Sequence, residues 1–496
     1  MRTIPKLRIV LMMFLLSNLA CKNNSNSNEN PKEEVNELPP NIVLIYVDDL
    51  GFGDLSSYGQ KELKTPNIDK LAEEGMLFTQ HYAGSTVCAP SRAALMTGKH
   101  TGHTSVRGNS PEGQLLENQE TTIAELLKEK GYTSGIIGKW GIGNHPEPDD
   151  PSRNGFDHSY GYVNMWHAHN FYPEFLYRNG KKEMLKGNEL DESYPYPDDM
   201  KEGTGVAKIK ETYVLDKFQE DALSFIDKNQ KNPFFLYYAI NMPHANNEAG
   251  YYTGNGMEVP NYGSYKDKDW PEPEKGFAQM IHLIDQKVGE VEAKLKELGL
   301  SNNTIVVFAS DNGPHNEGGH SVDFFDSNSI YRGAKRDLYE GGIRVPLIVK
   351  WPQKIKAGST TNMPVATWDF LPTFADLTGI PEPVNIDGIS FAPLLLGDTK
   401  NQQKHEYLYW EFYELGGRQA IRVGDYKLVK LNVRDPDTPV VSELYDIVSD
   451  PTESKNIKAD FPDKVSELDS LMNVAHQEHR LLSLFSQEQD AETRFE

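Results

Sequence analysis

Residues 41–47, Asn-Ile-Val-Leu-Ile-Tyr-Val, form an almost unbroken apolar run rich in β-branched side chains, and the run stops at Asp48-Asp49. A strand of that composition has no polar face for solvent, so it predicts the interior of a sheet covered on both sides. Segments 134–137, 233–239, 304–309 and 345–349 repeat the pattern, and helical periodicity separates them over 122–130, 213–228 and 277–298. The alternation predicts an α/β domain with a mixed or parallel central sheet flanked by helices. Ligands of such sheets sit outside the carboxyl ends of the strands. Asp48-Asp49, Lys139, the segment ending in His244, and Asp311-Asn312 all fall there, so one site is expected to draw on four strand ends.

After residue 395 the pattern changes. Segments 406–413, 419–423, 426–431 and 443–447 read as short antiparallel strands, followed by a helix over 462–477. The expected organisation is a leader over 1–21, a flexible linker over 22–39, a catalytic α/β domain over 40–395, and a smaller C-terminal subdomain of antiparallel sheet plus helix over 396–496. The basic start, the short apolar run 9–16 and Ser-Asn-Leu-Ala-Cys at 17–21 read as an export signal, too short to span a membrane. Cys21 fits a lipidation site, which would make the chain a periplasmic or outer-membrane lipoprotein of a Gram-negative bacterium, held by a lipid anchor. Asn18, where a leucine is usual, leaves plain secretion to the periplasm open. Residues 22–40 contain too little apolar surface to offset their ordering entropy. The formal charge of −23 argues against a nucleic-acid partner, because such binding rests on lysine and arginine neutralising phosphates.

One of only two cysteines lies in Cys88-Ala89-Pro90-Ser91-Arg92, which runs into Ala93-Ala94-Leu95-Met96-Thr97-Gly98-Lys99. This stretch resembles the type I sulfatase signature, Cys-x-Pro-x-Arg followed by Leu-x-Thr-Gly-Lys/Arg. Further strings match the family in order: residues 47–54 around Asp48-Asp49, Gly138-Lys139-Trp140, Ser310-Asp311-Asn312-Gly313-Pro314-His315, and 333–346 around Lys335. The resemblance implies an alkaline-phosphatase-like fold and a sulfuric ester hydrolase of the arylsulfatase kind. It also implies conversion of Cys88 by a formylglycine-generating maturase to 3-oxoalanine (formylglycine), whose hydrate supplies the nucleophilic oxygen.

The same resemblance assigns roles. Asp48, Asp49, Asp311 and Asn312, with the modified Cys88, would ligate one calcium ion, an assignment that suits the oxygen preference of hard cations. Arg92, Lys139 and Lys335 would line a sulfate pocket, as preorganised positive charge suits an ester whose oxygens share a negative charge. His244 would protonate the departing sugar oxygen, a task for which an ordinary histidine pKa is suited. Many family members carry a histidine where this chain has Gly141. The base of the second step is therefore open between another group, such as His145, and solvent or metal-linked hydroxide.

The strings 166–173 and 315–325 are rich in groups that stack on sugars or bond their hydroxyls. They resemble carbohydrate exo-sulfatases acting on 4-O-sulfated galactose or N-acetylgalactosamine, and by that resemblance His169, Asn170, His315 and Glu317 would contact the sugar of a sulfated carbohydrate. Two other readings stay open from sequence: a phosphodiesterase or phosphonate hydrolase of the same superfamily, and a non-catalytic lipoprotein that binds sulfated glycans.

Overall fold

The computed structural model describes residues 39–109, 116–117, 120–143, 150–381, 383–479 and 484. Cys21 and His145 lie outside these residues. All five apolar runs are neighbouring strands of an eleven-stranded sheet, in the order Arg344–Lys350, Thr304–Ser310, Asn41–Asp48, Phe234–Pro243, Thr133–Lys139. Asn41–Asp48 is central and parallel to both neighbours, with Val47 opposite Ser310 and Asp48 opposite Pro243. Every residue of this strand is buried, as its lack of a polar face requires. Thr133–Lys139 is also parallel to its neighbour Phe234–Pro243, whereas Arg344–Lys350 runs antiparallel. The segment preceding Arg344 therefore enters from the end where the parallel strands finish.

Outer strands carry weaker sequence patterns. Met76–Tyr82 alternates between buried and half-buried positions and pairs with Arg344–Lys350, while His158–Tyr162, Phe175–Arg178 and Lys181–Met184 extend the other edge. Helices cover both faces. Val214–Asn229 and Glu272–Glu297 pack on the core around Val43, Ile45 and Tyr238, and Ile123–Lys128 and Phe370–Thr378 on the core around Leu44 and Tyr237. Thr122 caps Ile123–Lys128 by accepting from the Glu125 N–H, and the Glu125 carboxylate accepts from the Thr122 N–H.

The C-terminal strands Leu408–Phe412, Arg418–Val423, Tyr426–Leu431 and Val441–Asp446 form a consecutive antiparallel sheet backed by Pro462–Ala475. This sheet shares a core with the larger one: Trp410, Phe412 and Val429 pack with Tyr82, Leu338 and Trp368. The described residues from 39 onward form one compact unit. Buried Lys427 bonds Glu340 and Glu453 at 3.0 Å each, and Arg418 bonds Asp337 at 2.6 Å. These pairs tie the small sheet to the chain around Lys335.

Candidate active site

Asp48 ends the central strand, and Asp49 turns the chain through a left-handed conformation at φ 65°. Such a backbone is uncommon for a non-glycine residue, although aspartate tolerates it better than most. Two bonds from the neighbouring strand end hold it. The Asp49 N–H donates to Asp311 Oδ1 and the Leu50 N–H to Ser310 Oγ, each at 3.0 Å.

Cys88 begins the helix Cys88–Thr97, which is buried throughout and ends at Gly98 in the left-handed region. Gly98 closes the helix because it carries no Cβ, and its N–H reaches the Ala94 carbonyl. Arg92, four residues on from Cys88, shares its helix face. The guanidinium is fully buried: Nε and Nη2 donate to Asp311 Oδ2 at 3.1 and 2.8 Å, and Nη1 to the Lys139 carbonyl at 2.7 Å. Lys139 Nζ donates to Asp48 Oδ2 at 2.7 Å, and Cys88 Sγ to Asp48 Oδ1 at 3.2 Å. Burial, then Asp48, pushes the Cys88 thiol well above its ordinary pKa. The encoded side chain is thus a poor thiolate, since an activated thiol needs an electropositive setting.

Burial opposes ionisation of Asp48, but Lys139 and Arg92 outweigh it and hold the carboxyl well below the usual range. Asp311 goes the other way, up to about 8, because it is buried with Asp48 beside it. Asp48, Asp49 and Asp311 each bring a carboxylate oxygen to one spot, all within 4.8 Å of one another. Asn312 Nδ2 donates to Asp49 Oδ1 at 2.6 Å, while its buried Oδ1 has no hydrogen-bond partner among the described residues. Crowded carboxylates beside an orphaned amide oxygen form an all-oxygen donor set that fits a hard divalent cation.

Lys335 arrives on the loop before Arg344–Lys350. Its Nζ lies 3.0 Å from Asp49 Oδ2, from Glu317 Oε2 and from His244 Nε2. His244 follows the strand Phe234–Pro243, and its Nδ1 donates to the Ala245 carbonyl at 2.6 Å. That bond makes Nε2 the lone-pair nitrogen, which accepts from Lys335. Burial, then the Lys335 ammonium, pushes the His244 pKa down to about 3. The near-neutral histidine expected from sequence is therefore a neutral acceptor paired with a lysine.

Cys88, Lys139, His244, Lys335 and Glu317 line a cavity of about 560 Å³, the size of a small-molecule site. His169 also lines it, stacked on His244 with centroids 4.8 Å apart and planes at 17°. Asn170 and His315 have different jobs. Asn170 donates to the Gly203 carbonyl and accepts from the Tyr172 N–H. His315 donates from Nε2 to the Pro243 carbonyl and accepts at Nδ1 from the Glu317 N–H. Each side chain uses both polar ends to shape the wall, and neither lines the cavity. Arg336 bonds the second oxygen of Glu317, so that carboxylate is held by two cations.

Sequence reasoning missed Asn109, Asn247, Glu248 and Glu414 on the lining. Asn247 and Glu248 follow His244 closely, a proximity that was a usable signal. Glu414 comes from the C-terminal hairpin and accepts from the Asn109 N–H at 3.2 Å, a contact between distant parts of the sequence that carries no local signature. Gly141 adopts φ 72°, and a Cβ there would lie 3.1 Å from Arg92 Cδ. A side chain in this backbone would press on the buried arginine.

Comparison with known proteins agrees with this geometry. The family model described as Sulfatase matches residues 40–380, and that described as N-sulphoglucosamine sulphohydrolase, C-terminal, matches 331–479. N-acetylgalactosamine-6-sulfatase of Canis lupus familiaris is 33% identical over 412 residues, 78% of this chain and 71% of that protein. N-acetylgalactosamine-6-O-sulfatase of Bacteroides thetaiotaomicron is 28% identical, covering 93% of this chain and 98% of that protein. The solved structure of Ps i-CgsB in complex with k-i-k-neocarrahexaose is 28% identical, with a TM-score of 0.73 over 92% of this chain and 98% of that one. Sulfatases typically use formylglycine and a metal, and the buried Asp48, Cys88 and His244 group lies where both would meet. With its alkaline-phosphatase-like fold, its matched motifs and these relatives, the chain belongs to the sulfatase family, as an arylsulfatase-like enzyme that hydrolyses sulfate esters of carbohydrates.

Proposed function

We propose that the enzyme removes one sulfate ester from a galactose or N-acetylgalactosamine unit at the end of a glycan. The observation that carries this reading is the convergence of Lys139, His244 and Lys335 with Cys88 on one cavity. The names of two relatives, which specify the 6-O position, support 6-O over the 4-O ester expected from the loops.

Asp48, Asp49, Asp311 and Asn312 would hold one calcium ion, which when bound supplies positive charge for the sulfate oxygens. The 3-oxoalanine made from Cys88 supplies, once hydrated, an oxygen nucleophile in place of a thiol that burial keeps protonated. The chain's own residues do the rest. Arg92 fixes Asp311 through two N–H donors and Lys139 through its carbonyl, so the sulfate end is rigid before substrate arrives. Lys139 bonds Asp48 and presents its remaining protons to the cavity. Lys335, anchored by Asp49 and Glu317, donates toward His244 Nε2, so this pair shares a proton at the edge where the leaving oxygen departs. As negative charge develops on that oxygen, a Lys335 proton moves onto His244 Nε2 and from that same nitrogen to the oxygen, leaving Lys335 as the neutral amine and the ring neutral. We further place the enzyme at the cell envelope, exported by its basic and apolar leader, with Cys21 as the acylation site. Incorporation of a palmitate analogue in the native host, lost in Cys21→Ala, tests that placement.

The test is protein from a host with the maturase, assayed for sulfate release from N-acetylgalactosamine 6-sulfate, the 4-sulfate and matching galactose sulfates, with mass analysis of the Cys88 peptide. Release from a 6-sulfate and an aldehyde at Cys88 are expected. No release from any sulfated carbohydrate by fully converted protein sinks the proposal.

A further inference from the structure

Glu248 and His169 meet on the cavity wall away from the oxygen cluster. Glu248 lies on the helix Asn247–Thr253 and is 5% exposed; His169 lies on the 3₁₀ turn His167–His169 and is 9% exposed. Glu248 Oε2 and His169 Nδ1 are 3.5 Å apart, and among the described residues neither has a hydrogen-bond partner. Asn247 Oδ1, on the same lining, is also buried without one. Buried polar atoms are rarely left unpaired, and each such atom costs about 1–3 kcal/mol. Three on one wall mark a surface completed by a ligand.

The chemistry of the wall selects that ligand. A carboxylate oxygen and an amide oxygen only accept, so the ligand must bring O–H or N–H donors. The lysines and arginine on the lining are already engaged: Lys139 with Asp48, Lys335 with Asp49 and Glu317, and Arg336 with Glu317. Among the described residues no lysine or arginine of the lining stands by Glu248 to receive a second anionic group. Stacking of His169 on His244 ties this wall to the group facing the leaving oxygen. The sugar that bears the ester therefore lies against it.

We infer that Glu248, with Asn247 and His169, selects a sugar that carries no anionic group besides its one sulfate, by accepting hydroxyl and N–H donors and repelling a second sulfate or a carboxylate. The inference rests on the function proposed above. Its test is kcat/KM of the converted full-length enzyme for N-acetylgalactosamine 4-sulfate, 6-sulfate and 4,6-disulfate. The better monosulfate is expected to exceed the disulfate by about tenfold or more. Glu248→Gln should lower the monosulfate value about tenfold, mostly through KM, and narrow the preference; Glu248→Lys should favour the disulfate. Asn247→Leu, with melting temperature followed in every variant, repeats the KM test at the neighbouring acceptor. Equal wild-type rates on mono- and disulfate, or a preference untouched by Glu248→Gln, would each overturn the inference while leaving sulfatase function standing. Failure to release sulfate from these sugars and from the matching galactose sulfates would overturn both.

Discussion

Lys335 Nζ donates to His244 Nε2 at 3.0 Å while His244 Nδ1 is bound to the Ala245 carbonyl, so the two side chains share one proton at the cavity edge. Separately they would be an ordinary surface cation and an ordinary histidine. Together they form a donor whose charge sits on the lysine and whose reach is set by the imidazole.

That pairing predicts non-additive losses. Lys335→Ala and His244→Ala should each lower kcat about 10²–10⁴-fold, and the double variant should be little worse than either single one, because residues acting as a unit do not sum. Steady-state kinetics of all three on one sugar sulfate checks this. Losses that multiply would show independent roles.

The orphaned Asn312 oxygen and the crowded carboxylates predict cation-dependent stability. Calcium should raise the melting temperature, with about 2.7 kcal/mol of stabilisation at a hundredfold excess over Kd, and chelation should reverse it. Asn312→Ala should weaken calcium affinity, and Asp49→Ala should abolish the shift. Thermal melts across a calcium titration read all of this without turnover.

Lys427 joins the two sheets through Glu340 and Glu453, and all three side chains are fully buried. Removing a buried cation strands its carboxylates, so Lys427→Ala should cost about 3–5 kcal/mol. Denaturant unfolding measures the loss. A cost below about 1 kcal/mol would mean water or a rearranged partner replaces the lysine.

Burial pushes His81 and His167 down to about 3 and His100 to about 4. Between those values and the unfolded value near 6.5, the unfolded chain binds more protons than the folded one. These groups therefore contribute stability present above about pH 6.5 and lost as pH falls toward 3–4, with a slope of about 1.4 kcal/mol per pH unit for each histidine. Denaturation at a series of pH values should show the decline, and His167→Gln should flatten it.

The central strands were legible because a strand buried on both faces cannot hide its composition: 41–47, 233–239 and 304–309 announce themselves as unbroken apolar runs. Met76–Tyr82 and the edge strands were not, since half-buried strands mix polar and apolar residues in a pattern that loops also show. Cys88, Asp48, Asp49, Asp311 and Asn312 were legible as motifs; the sheet brings the last four together because their strands end at the same side, and Cys88 joins them from the start of its helix. Asn170 and His315, expected as sugar contacts, spend their polar ends on neighbouring backbone groups, and a polar residue in a loop looks the same in sequence whether it faces a ligand or its own backbone.

Sequence by itself determined the central strands, the end of the sheet that holds the site, and the residue types available there. The tertiary structure decided what each does. Protonation of His244 depends on Lys335, which approaches from a distant part of the chain, as well as on the adjacent Ala245 carbonyl, and the wall proposed for the sugar is built by Glu248 and His169, far apart in the chain. Hydrogen-bond partnership and burial are properties of three-dimensional neighbours, and pKa and specificity follow from them.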